Sequence, residues 1–270
     1  MTAFSWVGSQ DDFVDCPDVI QLNHIVVGRY GGNSTAGQSK NEDGCLVWFS
    51  REEDWELAMV LDAHYSAESA EIVLELFRQE ENAIRTLLAL PAVHDAFRAL
   101  EEKVLDMFRS AEFLSICRKV KGETACLITA RKGRYVWWLS VGDCLLYLFH
   151  PELTRMGQYQ LNQRQFYEWI GQVNTFAQEV PCYSIGRREL RKGENRLFLT
   201  TDGLIECPGA PYPDPVRVDQ AFYEGVPAAD TVHSILETIQ KSGVRDSTTI
   251  ITWNIEVTRD AVLPSDFGKE

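Results

Sequence analysis

Three short apolar runs in this chain end directly on an aspartate, and no other feature limits its fold so strongly. Leu57-Ala58-Met59-Val60-Leu61 precedes Asp62, Trp138 to Gly142 precedes Asp143, and Leu197-Phe198-Leu199-Thr200-Thr201 precedes Asp202. Each run has the length and composition of a strand. Asp246 stands just before a further strand-like run, Ser247 to Ile255, and Glu42 and Asp43 precede the run Cys45 to Phe49. Any one of these residues is ordinary, because Asp ends strands and starts turns. If the strands are neighbours, however, all of these carboxylates meet at one end of a sheet. Like charges so close raise one another's pKa and are costly unless a cation sits among them. Oxygen ligands without a Cys or His cluster select Mg²⁺ or Mn²⁺ over Zn²⁺.

The rest of the chain supplies what such a sheet needs. A strand is expected at His24 to Val27, and Trp55 begins the run that reaches Asp62. The period then changes: Ile72, Val73, Leu76, Phe77, Ile84, Leu87 and Leu88 fall on one helical face between Ala67 and Leu90. After Pro91, the residues Val93, Phe97, Leu100, Val104, Leu105 and Phe108 continue as a second amphipathic helix. Strands return at Thr124 to Thr129, Tyr135 to Val141, Cys144 to Phe149 and Arg196 to Thr201, with a helix at Asp230 to Lys241. Pro151 to Val180 is polar and aromatic, and reads as an insertion over the strand ends with one short helix near Gln163 to Ile170. Runs of strands separated by a helical pair point to an α+β fold with largely antiparallel sheets. No repeat or linker divides the chain, so residues 1–270 are expected to form one domain with a frayed tail after Thr258.

Composition excludes several functions. A net charge of −14 disfavours nucleic acid and anionic membranes as partners, since both require clustered Lys and Arg. The most apolar stretch, Tyr135 to Phe149, is too short to span a bilayer and carries Asp143. Cysteines 16, 45, 117, 126, 144, 182 and 207 form no C-x-x-C pair, and neither a disulfide framework nor a zinc site is indicated. With no signal-peptide pattern at the N-terminus, a cytoplasmic protein with reduced thiols is expected.

Taken in chain order, five short segments resemble the motifs of the metal-dependent type 2C (PPM) protein phosphatases, in their bacterial form. They are Asn41-Glu42-Asp43-Gly44, Leu61-Asp62-Ala63-His64, Val141-Gly142-Asp143-Cys144, Thr201-Asp202-Gly203-Leu204 and Asp246-Ser247-Thr248-Thr249. The resemblance covers about residues 26–255. It implies a four-layer α-β-β-α sandwich, two antiparallel sheets flanked by helix pairs. It also implies hydrolysis of phosphomonoesters, chiefly phosphoserine and phosphothreonine in proteins, by a water held between two Mn²⁺ or Mg²⁺ ions. Two-metal sites acidify such a water and neutralise charge on the phosphoryl oxygens. Carried over residue by residue, Asp62 would bridge the ions, and Asp202 and Asp246 would complete one shell. Glu42, Asp43 and the Ala63 carbonyl would serve the other, and Asp143 with Asp202 matches a weaker third position. His64 matches the histidine that protonates the leaving group. An imidazole titrates near neutrality, which suits that role.

Three departures bear on the substrate. The family usually has Gly after the bridging Asp, where this chain has Ala63-His64-Tyr65-Ser66. Bacterial members carry a phosphate-clamping Arg three residues before the motif Asn; here that position is Gln38. Losing one charged hydrogen bond of ~1.5–3 kcal/mol weakens binding roughly tenfold to 150-fold. Lys40 would compensate only as a point charge. The insertion at 151–180 matches no family pattern. An alternative is therefore a type 2C fold acting as a regulatory or binding module with little catalysis. A serine hydrolase built on Gly32-Asn33-Ser34-Thr35-Ala36 is disfavoured, because the final glycine of a nucleophile elbow is missing.

Overall fold

Alternation along the strands sorts the apolar residues into three cores, and the three cores define four layers. The computed structural model describes residues 2–261. Of the tail expected to fray after Thr258, the part from residue 262 on lies outside the described residues. In chain order the first strands are β1 (Thr2–Val7), β2 (Asp18–Leu22), β3 (Ile25–Tyr30), β4 (Gly44–Ser50) and β5 (Trp55–His64). Four helices follow: α1 (Glu68–Gln79), α2 (Glu81–Leu88), α3 (Val93–Arg109) and α4 (Ala111–Cys117). Then come β6 (Glu123–Lys132), β7 (Tyr135–Val141), β8 (Leu145–Phe149), α5 (Pro151–Arg155), β9 (Ile170–Gly171), β10 (Ser184–Glu189) and β11 (Gly193–Thr200). The chain closes with α6 (Pro215–Ala221), α7 (Ala228–Lys241) and β12 (Thr248–Val257).

Among the described residues the strands form two antiparallel sheets. One runs β1-β4-β5-β6-β7-β10, with β9 added on β6, and the other runs β2-β3-β12-β11-β8. Between the sheets lie Val47, Ala58, Val60, Leu127, Trp138, Leu146, Leu199 and Ile251. The opposite face of the first sheet packs Met59, Leu61, Ile128 and Trp137 against Val73, Phe77, Leu100, Val104 and Phe108 of α1 and α3. The second sheet covers its outer face with Val232, Ile235, Leu236 and Ile239 of α7 and Val218 of α6. Trp137 and Trp138 thus enter different layers, as period-two alternation requires. Each fully buried side chain of this size contributes about 1.5–3 kcal/mol over its exposed state. The α-β-β-α order implied by the motifs is the architecture observed.

Differences from the sequence reading are local. The first helical run is two helices, because the chain turns at Glu80, whose N–H is shared between the Leu76 and Phe77 carbonyls. The second run, Val93 to Phe108, is the single helix α3, and beyond it Ser110 caps the further helix α4 by accepting from the Phe113 N–H. No helix forms at 163–170. Asn162 instead bonds the Leu146 N–H and the Cys144 carbonyl, and Tyr167 has φ +75°. Both features commit that stretch to an irregular path along the strand ends.

Candidate metal centre

Strand β5 carries the first carboxylate into place. Its register against β6 pairs Asp62 with Ala125, so the aspartate still belongs to the ladder instead of ending it. Asp143 follows Gly142, which takes φ +86°; a Cβ there would stand 2.5 Å from that of Ala125. Only glycine lets the corner after β7 lie this close to β6. Asp202 follows β11, and Gly203 brings it beside the start of β12: a Cβ on Gly203 would be 2.2 Å from the Ser247 carbonyl oxygen. Three close-packed strand ends therefore deliver three aspartates to one spot. Carboxylate oxygens of Asp62, Asp143 and Asp202 all lie within 4.8 Å of one another, and all three residues are buried.

Asp43 joins them from the turn before β4, and is 1% exposed. Its Oδ2 accepts hydrogen bonds from Thr201 Oγ1 at 3.1 Å and Thr249 Oγ1 at 2.7 Å. Burial pushes the carboxyls of Asp43 and Asp62 well above the usual range. For Asp62 the neighbouring charges of Asp202, Asp43, Asp246 and Asp143 push the same way. Asp202 is raised to about 7 by burial and by Asp246 and Asp143, and Asp246 and Asp143 are raised chiefly by burial. One oxygen each of Asp62, Asp143 and Asp202 is buried without a hydrogen-bond partner. Orphaned carboxylate oxygens among like charges are costly by themselves and suited to a hard cation. The residues present fit divalent metal ligation.

The other expected residues are placed as follows. Ala63 continues β5 opposite Thr124 with no left-handed backbone, and the positive φ falls two residues later, at Tyr65 (+77°). His64 Nδ1 is 3.6 Å from Asp62 Oδ1, and its ring meets Trp169 edge-on with centroids 5.0 Å apart. Glu42 pairs with Lys40 at 2.6 Å, and Lys40 also donates to the Tyr65 carbonyl at 2.7 Å. Gln38 is half-buried, with its side-chain oxygen turned to the Ser39 N–H.

Sequence reasoning missed Thr201 and Thr249, which orient Asp43, and Trp169 against His64. It also missed Arg164, which approaches the cluster from the insertion. The threonines lie inside two of the motifs and could have been found there. Arg164 and Trp169 sit in a segment without periodicity, and nothing in the sequence marks them. A cavity of about 700 Å³ opens at the other end of the same strands, around Glu56 and Arg131.

The raised carboxyls carry an expected pH dependence for metal-free protein. The folded state keeps the Asp202 proton up to about 7, whereas the unfolded chain releases it near the ordinary value of 3.8. This contribution is complete below the unfolded value and is lost as pH rises through the folded one. EDTA-treated protein should therefore unfold at higher denaturant near pH 5 than near pH 8. Mn²⁺ should narrow or reverse the gap, because it competes with protons for the same oxygens. Equal midpoints at both pH values without metal would rule out the crowding of carboxylates.

Comparison with known proteins gives the same architecture. A bacterial serine phosphatase overlays with a TM-score of 0.63 at 14% identity, over 96% of this chain and 99% of that one. Serine/threonine phosphatase Stp1 from Staphylococcus aureus gives 0.61 at 13%, over 94% and 95%. RsbX, crystallised in complex with magnesium, gives 0.55 at 16%, over 88% and 100%. No protein-family model matches the sequence, and neither does any curated protein. The fold is that of the bacterial serine/threonine phosphatases. Within it, the sandwich implied by the type 2C motifs is the one this chain adopts.

Proposed function

We propose that residues 1–270 form a metal-dependent serine/threonine protein phosphatase, acting on phosphoproteins or small phosphate esters and not on nucleic acid or membranes. The observation that carries this reading is the set of buried, unpartnered carboxylate oxygens on Asp62, Asp143 and Asp202. Asp62, Asp202 and Asp246 would hold one Mn²⁺ or Mg²⁺. Asp62, Glu42, Asp43 and the Ala63 carbonyl would hold the other, partly through water, and Asp143 with Asp202 a weaker third. When bound, such ions neutralise phosphoryl charge and make water nucleophilic at neutral pH.

The chain's own groups supply the rest. His64 is half-exposed beside the cluster, so it can hold a proton at the imidazole and pass it to a departing alkoxide. Trp169 fixes the plane of that ring, and Nδ1 faces the Asp62 carboxyl at 3.6 Å. The threonine hydroxyls hold Asp43 in one orientation. Tyr65, which follows His64 in the chain, and Tyr167, between Arg164 and Trp169, are 75% and 85% exposed and would offer apolar surface to a peptide. No described helix is long and apolar enough to cross a membrane. All seven cysteines are unpaired, which supports a reducing, cytoplasmic location.

Hydrolysis of p-nitrophenyl phosphate tests the proposal. Turnover should appear with Mn²⁺, vanish with EDTA and return on adding excess Mn²⁺. A chain that binds Mn²⁺ yet hydrolyses neither this ester nor a phosphoserine peptide would instead be the regulatory module.

A further inference from the structure

One cation reaches into the carboxylate cluster from the insertion. Nη2 of Arg164 is 2.7 Å from Glu206 Oε1, 3.5 Å from Asp202 Oδ2 and 3.6 Å from Asp143 Oδ2. Its guanidinium carbon lies 4.8 Å from the centre of the Phe166 ring, and its Nε is buried without a partner. The backbone around it is fastened to the strand ends: the Gln165 N–H donates to the Gly142 carbonyl, and the Asn162 side chain bonds the Cys144 carbonyl and Ser140 Oγ. The main chain is thus held while the guanidinium's partners are carboxylates that divalent ions would claim. The positions expected to meet a substrate phosphate are poorly equipped for it. Gln38 carries no charge, and Lys40 is committed to Glu42 and the Tyr65 carbonyl.

We infer that Arg164 is the side chain that binds the substrate's phosphate group, and that without metal it rests on Asp143, Asp202 and Glu206. The inference rests on the metal-centre reading above. The argument is one of charge and shape. In metal-free protein three carboxylates attract the guanidinium. Divalent ions on the same aspartates cancel that attraction and repel a cation a few ångströms away. A phosphate dianion drawn to those ions then presents two oxygens at the spacing a guanidinium fork matches. Phe166 keeps the planar group at the rim, and the fastened backbone restricts the change to side-chain rotation.

Calorimetric titration of the Mn²⁺-loaded protein with inorganic phosphate tests this without turnover. Arg164→Gln is expected to weaken phosphate binding about 10- to 100-fold, and Arg164→Lys less, because it keeps the charge and loses the fork. Mn²⁺ affinity, titrated separately, should be unchanged or higher in Arg164→Gln, since a competing cation is gone. Undiminished phosphate affinity in a variant that still binds Mn²⁺ would overturn the inference and leave the metal centre standing. Loss of Mn²⁺ and phosphate binding together would also overturn it, because Arg164 would then be part of the metal scaffold. Wild-type protein that takes up no Mn²⁺ would remove the metal-centre reading itself, and this inference with it.

Discussion

Asp62→Ala is expected to abolish turnover and, with it, the protein's thermal response to Mn²⁺. In wild type, an ion present at one hundred times its Kd stabilises the fold by ~2.7 kcal/mol. For a chain of this length that raises Tm by about 5–10 °C per ion. Asp62 lies among Asp43, Asp143, Asp202 and Asp246, and its carboxyl is pushed up by burial and by those four neighbours. Its removal takes away a carboxylate that those four neighbours surround, and should cost much of the affinity. The same substitution should have the opposite sign in EDTA, where deleting a crowded, half-satisfied carboxylate relieves strain and raises Tm slightly. Melting curves of both proteins with EDTA and with Mn²⁺ make the four-way comparison. A variant that still gains several degrees from Mn²⁺ would show that the ions sit elsewhere.

The second large effect is expected at His64, and it depends on the leaving group. A phosphoserine peptide expels a poor alkoxide that needs its proton in the transition state, so His64→Ala should lower kcat by about 10²–10⁴-fold. p-Nitrophenolate leaves readily, and its hydrolysis should fall far less. Mn²⁺ affinity should be nearly untouched, because the imidazole stands 3.6 Å from Asp62 and outside the proposed ligand set. Trp169→Ala should show a weaker version of the same split, since it only orients the ring. Equal losses on both substrates, accompanied by weaker Mn²⁺ binding, would assign His64 to shaping the metal site instead of to proton transfer.

Much of this arrangement was legible in the sequence, because strand ends carry two signals at once. A run such as Leu57 to Leu61 announces a buried strand by composition, and the aspartate after it breaks the pattern at a definite residue. The helical face from Ile72 to Leu88 was readable for the same reason, although the turn at Glu80 was not, since no Pro or Gly marks it. Strands β1, β2 and β10 went unassigned. Two of them lie at the edges of the first sheet and one at an edge of the second, where half the residues face solvent and the apolar signal thins. In β10 the run Arg187-Arg188-Glu189 hides a strand behind charge. The insertion was the least readable part. Its path is set by particular side-chain bonds, such as those of Asn162, and these depend on the folded strands beneath it.

The acidic cluster draws on both sheets. Asp43 and Asp62 belong to the first, Asp202 and Asp246 to the second, and the hydroxyls of Thr201 and Thr249 reach across from the second sheet to Asp43. A bound ion would therefore act as a clasp at one end of the sandwich, and the opposite end would keep the contact between Glu56 and His24 of the β2–β3 turn, which joins the two sheets regardless of metal. Separation of the sheets should then begin at different ends in the two states. Without metal the clasp end opens first, and amides near Asp62 and Thr249 exchange with solvent fastest. With metal the order is reversed, and the escape of the ion itself becomes the slow event that sets the lifetime of the folded chain.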